Sequence, residues 1–217
     1  ALRYEGRSLE QAVRDVGGDT AKITERSDIR AFLELHIEQG PVLESSGTNL
    51  GLVTTIAGIT RVEVIVTGRP DHAGTTPMGH RADALVAASE LIGAIDAEAT
   101  RRSSLGSHFT ATVGEFSIEP GAANVVPGRV RMLIDARSEE RTQMLEFLDW
   151  LEQRADALPQ GLSAELTRLS DNQPTPMDSS LLEQLAQASE RVGVSSTRMV
   201  SGAGHDAAFM ARIAPAA

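Results

Sequence analysis

Residues 61 to 68 of the chain read Arg61-Val62-Glu63-Val64-Ile65-Val66-Thr67-Gly68. Apolar valines alternate with polar or charged neighbours and a glycine closes the run, the period-two pattern of a half-buried strand. Outward from it the pattern predicts a self-contained series: strand 60 to 68, helix 82 to 97, strands 108 to 118 and 126 to 136, helix 140 to 157, and strand 162 to 169. Leu85, Ala88, Ile92 and Ile95 fall at helical spacing in the first helix, and Met144, Leu148, Leu151, Ala155 and Leu158 share a face of the second. Between them Val130, Met132 and Ile134 alternate with Arg129, Arg131 and Leu133. The order βαββαβ is the split, ferredoxin-like arrangement: a four-stranded sheet with both helices on one face and an edge that can pair with a second copy.

Between the first strand and the first helix lies Pro70-Asp71-His72-Ala73-Gly74-Thr75-Thr76-Pro77-Met78. A histidine held between a turn proline and a Gly-Thr-Thr-Pro turn is poorly explained by packing. On a strand-to-helix loop a rigid scaffold can hold the imidazole of His72 towards a ligand, where it suits proton transfer or charge stabilisation. The competing reading is a loop histidine that bonds only the turn backbone.

The flanks are less regular. Ser8 with Gln11 reads as a capping box, ahead of a helical face of Leu9, Ala12, Val13 and Val16 that Gly17-Gly18 ends. Arg30 to Glu38 reads as a strand broken by Gly40-Pro41, and Leu50 to Ile56 as another. Asp171-Asn172-Gln173-Pro174-Thr175-Pro176 reads as a polar linker. Beyond it come a helix carrying Leu181, Leu182, Leu185, Ala188 and Val192, a short strand from Thr197 to Val200, and a last helical piece after Ser201-Gly202-Ala203-Gly204-His205-Asp206.

Composition excludes several classes. An apolar fraction of 41% over 217 residues is enough for a real core, and the scarcity of aromatics leaves Leu, Val, Ile and Ala to fill it, as in mixed α and β layers. Without cysteine there are neither disulfides nor thiolate ligands, so any metal must be held by His, Asp or Glu; the same absence fits a reducing cytoplasm. A formal net charge of −10 argues against nucleic acid as a partner. No apolar run approaches membrane-spanning length, and the start, Ala1-Leu2-Arg3-Tyr4-Glu5, lacks the apolar core of a signal peptide. With no initiating Met, and an end at Ile213-Ala214-Pro215-Ala216-Ala217, the expectation is a chain cut from something longer.

Three further constellations have chemical potential. Leu35-His36-Ile37-Glu38-Gln39-Gly40-Pro41 places an imidazole and a carboxamide at a sheet rim, where metal ligands and substrate contacts lie; the alternative is a core-edge histidine. On a strand Glu38 points to the opposite face from Gln39. In Ser201 to Asp206, glycines after a strand let backbone N–H groups approach an anionic oxygen, with His205 beside them. Asn124 and Arg137 bracket a strand and offer an amide and a planar fork for an amino-acid-like carboxylate, while Arg61 opens the first strand; for both arginines the alternative is a surface salt bridge. A serine hydrolase built on Ser201, His205 and Asp206 is excluded, because residues four and five apart on one turn cannot form a relayed triad. His80 and His108 lack polar-motif context and read as surface or loop histidines.

In order along the chain, Leu-His-Ile-Glu-Gln-Gly-Pro at 35 to 41, Asp-His-Ala-Gly-Thr-Thr-Pro-Met at 71 to 78, Asn-Val-Val-Pro-Gly at 124 to 128, Asp-Ala-Arg at 135 to 137 and Ser-Gly-Ala-Gly-His-Asp-Ala at 201 to 207 resemble the hydantoinase/carbamoylase branch of the M20 dinuclear metallohydrolases. That branch contains N-carbamoyl-L-amino acid hydrolases, allantoate amidohydrolases and β-ureidopropionases. The resemblance implies an α+β chain: a ferredoxin-like lid and dimerisation domain at 58–170, flanked at 1–57 and 171–217 by parts of an α/β metallohydrolase catalytic domain. It implies two divalent ions (Zn, Mn, Co or Ni) in the parent enzyme, activating a water against a carbamoyl or amidine-like carbon, with a glutamate as general base.

By the same resemblance His36 is a metal ligand and Gln39 a substrate contact. His72 is the lid histidine that stabilises the developing oxyanion, often across a homodimer. Arg61, Asn124 and Arg137 are polar or carboxylate contacts from the lid, and Gly204 and His205 belong to the substrate loop. The family's His-x-Asp segment, bridging Asp, Glu-Glu pair and later His ligand are missing, so His36 is left alone among the expected ligands. The chain by itself is therefore expected to hold no metal tightly and to be inactive. The rivals are a metal-free dimerisation or binding module, and the aminoacylase or peptidase activity of the wider M20 group, which the Gly-Thr-Thr-Pro-Met continuation after His72 disfavours.

Overall fold

The computed structural model of the chain describes residues 3, 4, 6–22, 24 and 26–217. The chain start, read above for its lack of a signal-peptide core, falls in part on residues 1, 2 and 5, outside the described residues. β1 (Arg3–Tyr4) and β2 (Arg7–Ser8) pair as a short antiparallel ribbon. α1 (Leu9–Asp15) begins where Gln11 N–H donates to Ser8 Oγ at 3.1 Å. The other half of the expected capping box is missing, because Gln11 Nε2 donates to Asp15 Oδ1 at 2.8 Å instead of turning back. The apolar face expected on this helix is only partly covered: Ala12 and Val13 are half-buried, but Leu9 is 64% and Val16 85% exposed.

The expected strand from Arg30 to Glu38 does not form. Phe32 N–H donates to the Pro215 carbonyl, Glu34 N–H to that of Ala217, and Ala217 N–H to that of Phe32. These leave a single isolated bridge, Phe32 with Ala216. A strand needs a continuous ladder, and bonding to so short a segment does not supply one. α2 (Val42–Ser46) and β3 (Leu50–Ile56) follow.

From β3 the chain passes through Ala57 into β4 (Gly58–Thr67) and so from one sheet to another. At the crossing, a Cβ on Gly58 would stand 2.7 Å from the Asn172 carbonyl and 2.8 Å from Met144 Sδ, so only glycine fits. The series continues with β5 (Asp71–His72), α3 (Ala84–Ser103), β6 (Phe109–Glu119), β7 (Val125–Val126), β8 (Arg129–Ser138), α4 (Arg141–Asp156) and β9 (Ser163–Asn172). The sheet is antiparallel in the order β6-β8-β4-β9. Its register sets Val62, Val64 and Val66 opposite Ile134, Met132 and Val130. All six are buried in one core with residues of α3 and α4, each contributing roughly 1.5–3 kcal/mol. Phe147 is fully buried there, its ring 5.4 Å from that of Phe109 and 5.6 Å from that of Trp150.

α3 runs six residues past the expected end at 97. Its last turns are held by the buried Arg102, which donates to Glu98 at 2.8 Å and Glu146 at 3.1 Å and lies over the Phe109 ring. An apolar count stops short there because a buried guanidinium does not register as core. The expected linker at 171–176 is instead structured: β9 continues to Asn172, and β10 (Thr175–Pro176) pairs with β3. Asp171 secures it by accepting from Arg141 at 2.7 Å, Arg168 at 3.2 Å and Thr60 Oγ1 at 2.9 Å.

α5 (Ser179–Arg191), β11 (Ser196–Ser201) and α6 (Ala207–Met210) end the chain's regular elements. β11 lies parallel to β3 in a sheet of order β10-β3-β11, over a second core of Leu52, Ile56, Met177, Leu182, Ala207 and Ala216. The whole is a mixed α and β chain of several sheets. Among the described residues no helix is long and apolar enough to cross a membrane.

Candidate functional site

The alternation that buries Ile134 and Ala136 turns Asp135 and Arg137 to the other face of β8, and the register sets Arg61 of β4 opposite Asp135. Asp135 accepts from Arg61 Nε at 3.0 Å and from Arg137 Nε and Nη2 at 2.7 and 3.2 Å. Burial alone would raise its pKa, but the two guanidinium groups outweigh that and hold the carboxyl below its usual range. The remaining Arg137 donor, Nη1, reaches the Gly202 carbonyl at 2.7 Å. Both arginines are thus paired, and Arg137 ties the four-stranded sheet to the loop that follows β11.

That loop is built around Ser201. Its Oγ accepts from Ala203 N–H at 3.2 Å and lies 2.5 Å from His205 Nε2. The His205 ring meets His36 edge-on, 4.4 Å between centroids, and Glu34 Oε2 accepts the Ala207 N–H at 2.7 Å just beyond it. Burial, and then the neighbouring His36, lower the pKa of His205, so its imidazole is neutral at neutral pH. Glu34, His36 and His205 each present a ligand atom within 4.8 Å of the others. Three such donors suit one divalent ion with a position open, and are too few for two. A backbone position with open space around it belongs to Gly204.

His108 lies in the loop before β6, as expected, but it is not a surface histidine. It is half-buried, its Nε2 is enclosed without a hydrogen-bond partner, and that atom lies 3.1 Å from where a Cβ on Gly202 would stand. Burial pushes its pKa down.

His72 and Asn124 lie elsewhere. β5 pairs with β7, His72 opposite Val125, and Ala73 N–H donates to the Asn124 carbonyl at 2.9 Å. Both residues are exposed. Gly74 N–H donates to His72 Nδ1 at 3.1 Å, and Arg81 clamps the turn by donating to the carbonyls of Ala73 and Thr76. This turn leaves the sheet at its Thr67 and Arg129 end, whereas Arg137 pairs with Ile59 at the other. The strand from Arg129 to Arg137 spans about 27 Å. The expected site residues therefore fall into two groups: His72 with Asn124, and His36, Arg61, Arg137, Gly204 and His205 at the opposite end. Among the described residues no hydrogen bond or ion pair links the two groups.

Gln39 is exposed and takes a left-handed φ of 56° at the turn into α2. Its neighbour Glu38 has a structural task that the sequence reading did not assign, accepting from Val42 N–H at 2.7 Å and Leu43 N–H at 2.8 Å to cap that helix. Glu34, Asp135 and Ser201 were also missed as site residues. The first two were visible in principle, since Glu34 stands two before His36 and Asp135 two before Arg137, and residues two apart share a face of an extended chain. A cleft of about 290 Å³ lined by Met177, Asp178 and Ala216 touches none of these residues.

The sequence and fold can be set beside known proteins. The chain is 37% identical over 215 residues to the allantoate amidohydrolase of Escherichia coli strain K12, covering 97% of this chain and 52% of that protein. It is 34% identical over 189 residues to the N-carbamoyl-L-amino-acid amidohydrolase of Paenarthrobacter aurescens, covering 86% of this chain and 45% of that one. A crystal structure of an amidase of the hydantoinase/carbamoylase family from Burkholderia phymatum superposes with a TM-score of 0.86 at 34% identity, over 99% of this chain and 54% of that one. The chain thus spans about half the length of the curated relatives it matches. The model of peptidase family M20/M25/M40 matches residues 8–217. With the ordered motifs, the shared fold and that match together, the chain belongs to the M20/M25/M40 peptidase family.

Proposed function

We propose that the intact protein is a metal-dependent amidohydrolase cleaving linear C–N bonds of N-carbamoyl-L-amino acids or related ureido compounds such as allantoate and β-ureidopropionate, and that this chain alone is inactive. The names of its relatives support the substrate class. The observation that carries the reading on this chain's own residues is the hydrogen bond from Gly74 N–H to His72 Nδ1. With Nδ1 accepting, the proton of the neutral ring sits on Nε2, and an exposed Nε2–H is a donor for an oxyanion developing on a substrate.

In this reading residues 58–170 are a ferredoxin-like lid and dimerisation domain, supported by the βαββαβ order and the exposed edge strand β6. Residues 1–57 and 171–217 belong to the catalytic domain. His36 would help hold a divalent ion, which when bound would supply Lewis acidity and a nucleophile at neutral pH. Asn124 beside His72 positions the substrate from the lid, Arg61, Arg137, Gly204 and His205 contact it from the other group, and Gln39 contacts it from the turn before α2. Arg137 is prepositioned by Asp135 and exchanges its bond to Gly202 for the substrate carboxylate. Because about 27 Å of strand separates the two groups, His72 serves the site of a second copy in a homodimer. The compartment is the cytoplasm.

The test is expression from the intact coding sequence and assay of ammonia release from N-carbamoyl amino acids, allantoate and β-ureidopropionate, with and without chelator. Chelator-sensitive release is expected. Absence of release from all three classes, or release indifferent to chelation, would overturn the reading.

A further inference from the structure

We propose that this chain binds one divalent transition-metal ion through Glu34, His36 and His205, with Ser201 orienting His205, and that it needs no ligand from outside its 217 residues. His36 as a ligand belongs to the reading above, which gives His205 of the intact protein to the substrate; Glu34 and His205 as metal partners in this chain alone, and the sufficiency of the set, go beyond it.

Each group's other bonds leave free the lone pair that a metal requires. His36 Nδ1 lies 2.7 Å from the Ile37 carbonyl. A carbonyl only accepts, so the proton sits on Nδ1 and Nε2 keeps its lone pair. Ser201 Oγ lies 2.5 Å from His205 Nε2 and can accept from it, its own proton turned to the Ala203 carbonyl; the metal-binding tautomer is the one in which the ring donates. In that tautomer Nδ1 carries the lone pair, and Nδ1 is buried with no hydrogen-bond partner. A buried polar atom left in this state calls for a ligand. Glu34 spends Oε2 on the Ala207 N–H and keeps a second carboxylate oxygen.

Two imidazoles and a carboxylate favour zinc, cobalt or nickel over magnesium or calcium, which prefer all-oxygen sites. The Ile37 carbonyl on His36 and the Ser201 hydroxyl on His205 are the outer partners that fix ring tautomers around bound metals. At bond lengths near 2 Å, donors around a tetrahedral ion stand about 3.3 Å apart. The present spread is within 4.8 Å, so metal binding requires the three side chains to draw together. Since Glu34 holds Ala207 and His205 holds Ser201, a bound ion would also fasten the 201–207 loop to the extended segment before α2.

The experiment is a titration of the metal-free 217-residue chain with Co²⁺, followed by visible absorption and calorimetry. One saturable equivalent is expected. His36→Ala and His205→Ala should abolish saturation, and Ser201→Ala should weaken binding roughly 10- to 100-fold. Glu34→Gln, which keeps an acceptor for Ala207 N–H, should weaken binding at least about tenfold, a conservative bound from the losses caused by outer partners. His80→Ala should change nothing. His36 is exposed, so circular dichroism on His36→Ala separates loss of a ligand from loss of fold. No saturable Co²⁺ binding, or binding untouched by both His205→Ala and Glu34→Gln, overturns the proposal. The choice of ion class rests on the metal-dependent reading, and the two fail separately. Chelator-sensitive turnover of the intact protein without Co²⁺ binding here removes only this site, whereas one bound equivalent here with chelator-insensitive turnover removes only the metal dependence of the proposed activity.

Discussion

Arg137 Nη1 donates to the carbonyl of Gly202 at 2.7 Å, joining β8 of the four-stranded sheet to the loop that carries His205. The same guanidinium grips Asp135 with Nε and Nη2, so its plane is fixed before it reaches Gly202. A charge-assisted bond of this kind is worth about 1.5–3 kcal/mol. Arg137→Ala should therefore raise amide hydrogen exchange in residues 202–206 while leaving β8 protected. Arg137→Lys should not restore protection, because an ammonium cannot hold both partners in one plane. Unchanged exchange in the loop would show that the tie carries no stability.

The separation of His72 from His205 predicts complementation between defective copies. In the intact protein, His72→Ala and His205→Ala should each lower turnover, the first by about 100- to 1000-fold if it removes an oxyanion donor. If His72 serves the partner's site, each mixed dimer keeps one complete site, and a randomly reassorted mixture should recover roughly a quarter of wild-type activity. A mixture no more active than its components would place His72 in its own subunit's site or outside catalysis.

Asp171 predicts an acid limb of stability. Its hydrogen bond from Arg141, with further help from Thr60 and Arg168, lowers its pKa to about 2 from the ordinary 3.8. A depressed carboxyl contributes stability that is fully present above the unfolded pKa and is lost as pH falls through the folded one, here between about 4 and 2. Asp171→Asn should thus destabilise the chain near neutrality, on the order of 1 kcal/mol after solvent screening, and the difference should vanish towards pH 2. Urea unfolding midpoints of both proteins across that range provide the measurement. A gap that persists at the acid end would contradict the ionic origin.

Phe147 is fully buried between Phe109 and Trp150 under the sheet. Phe147→Ala should cost about 3–5 kcal/mol by transfer and cavity terms together. Urea unfolding should show a lower midpoint with little change in slope. A loss under about 1 kcal/mol would mean that the neighbouring rings collapse into the space.

Much of the sheet was legible because its signal is local. Val62, Val64 and Val66 announce their face by alternation alone, and Met144, Leu148 and Leu151 announce theirs at helical spacing. Where the reading failed, charge or partnership was involved. Arg102 ends α3 as a buried cation that no apolar count detects, and Asp171 turns an apparent linker into the end of a strand. The segment at 30–38 has strand composition but lacks a ladder, since strand formation depends on a neighbour as much as on residue type.

Sequence by itself determined the family motifs, the order of strands and helices in the central series, and the chemical types at the candidate site, because these depend on residue identity and short-range period. Residues two apart share a face of extended chain, so Glu34 beside His36 and Asp135 beside Arg137 were within its reach, though neither was read. Only the tertiary structure decided that His205 comes round to His36, that Arg137 reaches Gly202, and that His72 lies at the other end of the sheet from both. Those relationships depend on sheet register and on a parallel pairing between β3 and β11. Such long-range pairing is set by the packing of whole elements, which leaves no local trace in the residues it brings together.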